Sequence, residues 1–151
     1  MAAGTLLCAA TLAACSSTSP SSSTTTTPKT SNHLTVTLTH EPAGTAQLSW
    51  NPSTGKVTAT VNIVDLTPGS QHAVHLHSGS CLNQGPVVVA FPDITANKAG
   101  AFSGTITSDN TTATGLSSKE YFNLHLGSSA QLGTALGFTP ISCGDLPAST
   151  P

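Results

Sequence analysis

The chain has 151 residues, four lysines, no arginine and six acids, for a formal charge of −2. Charged residues make up 7%, against roughly a quarter in an average soluble domain, so there is no basic stripe to displace counterions from a nucleic acid. Heptad spacing is absent and no apolar run reaches the ~20 residues of a spanning helix, which leaves a Thr-, Ser- and Gly-rich chain of about one domain, with strand favoured.

The first elements in chain order are not fold. Residues 1–14 are small and apolar, and Leu6 to Ala14 has the length of a signal-peptide core. The run ends in Leu12-Ala13-Ala14-Cys15, which resembles the lipobox of bacterial lipoproteins. That resemblance implies cleavage before Cys15 and a lipid on its thiol, and so an anchor on the extracytoplasmic side of the cell envelope. An ordinary secretory signal with a chance cysteine is the alternative; both imply export. No Lys or Arg precedes the apolar run, which departs from the lipoprotein pattern and suggests a start upstream of Met1. Residues 16–31 are nearly all Ser, Thr and Pro, cannot bury enough apolar area to offset their ordering entropy, and read as a tether. The expected organisation is therefore a signal over 1–14, a lipidated Cys15 with its linker over 15–31, a folded domain over 32–147 and a short tail over 148–151.

The head reads as all-β. Leu34, Val36 and Leu38 alternate with threonines. Gln47 to Asn51 is short, with Leu48 and Trp50 on one face and Trp50 expected in the core. Lys56 to Val64 sets Val57, Ala59, Val61 and Ile63 against an entirely polar second face, the cleanest half-buried strand in the chain. Thr67-Pro68-Gly69-Ser70 is a turn. Strands follow over Gln71 to Ser78, Val87 to Phe91, Ala101 to Thr107, Glu120 to Leu126 and Phe138 to Ser142. Seven to nine short strands without a convincing helix predict a Greek-key β-sandwich or barrel.

Of the four cysteines, Cys8 leaves with the signal and Cys15 is the lipid site. Cys81 and Cys143 remain in an exported domain, where a disulfide is the default. Closing such a loop is worth ~4 kcal/mol in the chain-entropy model.

The chemistry lies in His72-Ala73-Val74-His75-Leu76-His77. On a strand His75 and His77 point the same way, about 6.5–7 Å apart, with His72, Val74 and Leu76 on the opposite face. Tyr121, Asn123 and His125 share one face of a later strand, opposite Phe122, Leu124 and Leu126, so His125 can meet the pair only across the sheet or barrel. Three neutral imidazoles suit copper or zinc, with copper of higher intrinsic affinity. Buried histidines satisfied by hydrogen bonds are the competing reading. His33 and His40 are expected at the surface, and the Asn110-Thr111-Thr112 sequon carries no role in a bacterial host.

Leu66 to His77 resembles the copper/zinc superoxide dismutases, in which a similar turn leads into His, small, apolar, His, apolar, His. Cys81, the turn Ile94 to Gly100, His125 and Ile141-Ser142-Cys143-Gly144 are similar to later segments of that family. The resemblance implies a superoxide dismutase-like sandwich. It makes His75, His77 and His125 copper ligands and catalytic residues, His72 a structural histidine beneath them, and Cys81–Cys143 the disulfide. It implies conversion of superoxide to dioxygen and hydrogen peroxide on one copper ion.

The departures are equally specific. No histidine lies between His77 and His125, and Asp93 alone cannot make a zinc site, so zinc is not expected. The family's arginine three residues before its last cysteine is Pro140 here. The loop from Gly127 to Gly137 is uncharged, and Lys98 and Lys119, the only candidates to guide an anion, read as solvated surface. Asn83 to Val89 and Tyr121 to His125 are similar instead to chordin-type (CHRD) domains, which are not generally assigned an enzymatic activity. The expectations are thus an exported, lipid-anchored copper protein with dismutase chemistry, or a non-catalytic copper-binding or CHRD-like surface module.

Overall fold

The computed structural model describes residues 33–38, 42–109 and 113–148. The expected signal, Cys15, the whole tether, His40 and the Asn110-Thr111-Thr112 sequon lie outside them. Among the described residues ten strands run in order: β1 (His33–Leu38), β2 (Gly44–Trp50), β3 (Val57–Ile63), β4 (Gln71–His72), β5 (Val74–Ser80), β6 (Asn83–Ala90), β7 (Ile94–Thr95), β8 (Phe102–Thr107), β9 (Glu120–His125) and β10 (Pro140–Asp145). One 3₁₀ turn, Ser129–Gln131, is the only helical element among the described residues.

Two four-stranded antiparallel sheets carry the fold, ordered β1-β2-β3-β8 and β10-β9-β5-β6, with β4 and β7 forming a two-residue pair. The alternation in sequence dictates what faces the interior. Val57, Ala59, Val61 and Ile63 of β3 are all buried, as are Val36, Leu48 and Trp50 of its neighbours. They meet Val74, Leu76, Val89, Phe122 and Leu124 from the second sheet in one core. Burying each such side chain is worth about 1.5–3 kcal/mol, which holds two sheets together where charge is scarce. The outer face of the first sheet is hydroxyl-rich, with Thr58 bonded to Thr107 (3.1 Å) and Thr60 to Thr105 (3.0 Å) across the ladder.

The all-β sandwich expected from the sequence is the fold observed, and it differs in detail. The segment expected as one strand from Gln71 to Ser78 is two, because Ala73 leaves the ladder: its N–H donates to Gly127 O (2.8 Å) and its carbonyl accepts from His125 N (3.0 Å). The predicted turn before it forms, with Ser70 N–H donating to Thr67 O and Gly69 at φ 76°. The strand expected from Val87 begins at Asn83. Leu126, expected to share a face with Phe122 and Leu124 at the strand's end, is 40% exposed because β9 ends at His125 and Leu126 N–H turns to Thr139 O.

Cys81 and Cys143 are joined by a disulfide, Cα atoms 5.9 Å apart, which ties the end of β5 to β10. Asp145 reinforces the tie, its Oδ1 accepting from Cys81 N at 2.7 Å.

Candidate metal centre

The histidine face belongs to the second sheet. β5 and β9 are hydrogen-bonded neighbours, with His75 opposite Asn123 and His77 opposite Tyr121. Side chains opposite one another in a ladder share a face. His75 and His77 therefore stand beside Tyr121, Asn123 and His125, on the side away from Leu76, Phe122 and Leu124. All five are buried, His75 being 6% exposed, His77 1% and His125 0%.

One nitrogen from each of His75, His77 and His125 lies within 4.8 Å of the other two. Ring centroids are 5.1–5.6 Å apart. Backbone carbonyls fix which nitrogen is offered. His125 Nδ1–H donates to Phe138 O (2.9 Å), so in the neutral ring the lone pair sits on Nε2. His77 Nδ1–H donates to Gly85 O (2.9 Å), leaving Nε2 with a lone pair and no hydrogen-bond partner among the described residues. His75 Nδ1–H donates to that His125 Nε2 at 3.2 Å and Asn123 Nδ2–H approaches the same atom at 3.3 Å, so His75 Nδ1 becomes a ligand when its proton moves to the ring's other nitrogen. Two rings are also held by aromatic contacts, His77 stacked on Tyr121 (5.2 Å, 21°) and His125 against Phe138 (5.0 Å).

Electrostatics keep the site ready for a cation. Burial, then repulsion from His125 and His77, drives the His75 pKa down to about 4, against a smaller attraction from Asp93. Burial also lowers His77 and His125, offset in part by their carbonyl acceptors. The neutral imidazole is the form that ligates a metal. The three facing nitrogens, one of them the unpartnered and buried His77 Nε2, form a donor set suited to copper or zinc. This fit rests on the orphaned His77 Nε2 and on the chemistry of the three donors.

The other sequence candidates fall elsewhere. His72 is buried beneath the cluster and not in it: Nδ1–H donates to His125 O (2.9 Å), and Nε2 meets the Ser70 hydroxyl at 2.6 Å. Asp93 binds the backbone N–H (3.0 Å) and hydroxyl (2.5 Å) of Ser129. Lys98, Lys119 and His33 are exposed. The structure adds groups that sequence reasoning did not single out. Gly85 O and Phe138 O are backbone atoms and leave no side-chain signal. Tyr121 and Asn123 had one, since they are polar residues on the face of His125.

The sequence profile of the CHRD domain matches residues 17–131. This chain belongs to the CHRD domain family. The match covers most of the sandwich and includes all three histidines. Among solved structures, the Cu/Zn superoxide dismutase from Brucella abortus superposes on this CHRD domain with a TM-score of 0.58. The superposition covers 76% of this chain and 99% of that one at 20% sequence identity, which shows a shared fold. No curated protein sequence matches the chain.

Proposed function

We propose that this CHRD domain holds one copper ion on His75 Nδ1, His77 Nε2 and His125 Nε2, and that it works outside the cytoplasm, tethered to a membrane through a lipid on Cys15. The observation that carries the metal reading is the meeting of three imidazole nitrogens, one of them buried and unpartnered, on two adjacent strands. Copper bound there would supply the one-electron exchange by which one superoxide becomes dioxygen and a second, with two protons, becomes hydrogen peroxide. The chain's own part is positional. Gly85 O and Phe138 O hold two rings by their Nδ1–H groups, and Tyr121 and Phe138 limit how those rings can turn. His75 is the most exposed of the three rings, at 6%, and is the one a small anion would meet first.

A second reading is copper capture without turnover. It is supported by the absence of any arginine and by the uncharged loop over 127–137, which offer an anion no positive field.

Copper titration of the wild type beside His75→Ala and His125→Ala tests the metal reading. Stoichiometric uptake by the wild type, lost in both variants, is the expected result; identical uptake in all three sinks it. Superoxide removal by the copper-loaded protein, abolished by a chelator, selects the enzyme over the capture module. Cys15→Ser, expected to move the protein from the membrane fraction to the soluble one, tests the anchor.

A further inference from the structure

Three imidazoles leave a four-coordinate ion one ligand short. Asn123 stands where the shortfall would be met. It lies across the ladder from His75, two residues before His125, and is 0% exposed. Its Nδ2–H reaches His125 Nε2 at 3.3 Å, and its Oδ1 is buried with no hydrogen-bond partner among the described residues. An amide oxygen left so is destabilising, because it has given up water and gained no donor.

Two atoms each ~2.0–2.1 Å from one ion lie about 2.8–3.0 Å apart in the square-planar arrangement Cu(II) favours and about 3.3–3.4 Å apart in a tetrahedral one. His75 Nδ1 is 3.2 Å from His125 Nε2, and the Asn123 amide is 3.3 Å from that same atom. The amide therefore stands close enough to His125 Nε2 for the two to share one ion after a small adjustment. Its two ends are nearly the same size, so a half-turn about the last side-chain torsion exchanges nitrogen for oxygen. Once His125 Nε2 gives its lone pair to a cation, the Asn123 N–H has lost its acceptor and the oxygen has gained a positive neighbour. Both changes favour the turn.

We propose that Asn123 is the fourth binding group of the three-histidine site, with its amide oxygen directed at the ion; this rests on the copper reading above. A neutral amide oxygen is a hard donor and favours Cu(II) over Cu(I).

The test compares wild type, Asn123→Leu and Asn123→Asp for Cu(II) and Cu(I) affinity by chelator competition, and for the Cu(II) electron paramagnetic resonance spectrum. Asn123→Leu is expected to lose on the order of 10- to 100-fold in Cu(II) affinity, with a smaller loss for Cu(I) and an altered spectrum. Asn123→Asp keeps an oxygen and is expected to bind Cu(II) at least as tightly as wild type. A wild-type spectrum and Cu(II) affinity in the leucine variant overturn the proposal. Should the leucine variant not fold, Asn123→Asp decides: Cu(II) binding weaker than wild type overturns it. Wild-type protein that takes up no copper refutes the copper reading and this proposal together. Copper uptake that depends on His75 but not on Asn123 refutes this proposal alone.

Discussion

At the scale of single residues, the site is built from buried polar atoms, and each has a measurable consequence. Tyr121 lends its ring to His77, yet its hydroxyl is buried without a hydrogen-bond partner among the described residues. Burial, then the nearby Asp145 charge, pushes its pKa up to about 12, so it stays a neutral phenol. Tyr121→Phe keeps the stacked ring and removes an unsatisfied group, so stability in urea is expected to be unchanged or higher, by up to about 1–3 kcal/mol. A clear loss of stability would show that the hydroxyl has a partner after all. The histidines give a pH dependence of definite sign. His75 has its pKa lowered to about 4 in the folded protein against 6.5 as the unperturbed value. Between those limits the unfolded chain binds more protons, so stability rises with pH. The stabilisation of the metal-free protein is complete above pH 6.5, weakens below it and is gone near pH 4. Thermal midpoints of metal-free wild type measured across that range should fall with acidification, and those of His75→Leu should fall less. Parallel curves would mean that His75 titrates normally.

At the scale of elements, the hairpin of β5 and β6 shows what sequence could and could not reveal. Gly85 lies so close to β5 that an added Cβ would overlap the Ser78 carbonyl and hydroxyl, and Gly85 O is the atom that orients His77. Gly85→Ala should therefore destabilise by about 1–3 kcal/mol, as overpacking does, and also weaken copper binding by moving that carbonyl. Stability lost with full copper affinity retained would separate the packing from the orientation. None of this was legible beforehand. β6 is an edge strand with Pro86 within it and no alternation in its first half, so only Val87 onward reads as strand. β3 was legible because one face is wholly apolar and the other polar. The break at Ala73 was not, because it is made by hydrogen bonds to Gly127 and His125, residues more than fifty positions away. The meeting of His125 with His75 and His77 was readable as a shared face, whereas the ladder register that seats Asn123 opposite His75 is a tertiary choice.

At the scale of the whole molecule, the decisive quantity is charge. A chain of net −2 with no arginine offers an anion no attraction at long range. Electrostatic steering raises association rates by about 10- to 1,000-fold and is lost as salt rises. Any superoxide removal by the copper-loaded wild type should therefore be insensitive to ionic strength between low salt and 0.15 M. Pro140 is the place to reverse this. It is exposed and stands opposite His125 where β10 begins, so a side chain there shares the face of that histidine. Its backbone gives no hydrogen bond that arginine would lose, since proline has no N–H. Pro140→Arg places one cation beside the histidine cluster while leaving the three ligands in place. The expected outcome is a faster reaction that slows as salt is added, with copper affinity unchanged. If the variant gains neither rate nor salt dependence, then field is not what limits this site, and capture without turnover becomes the better account of it.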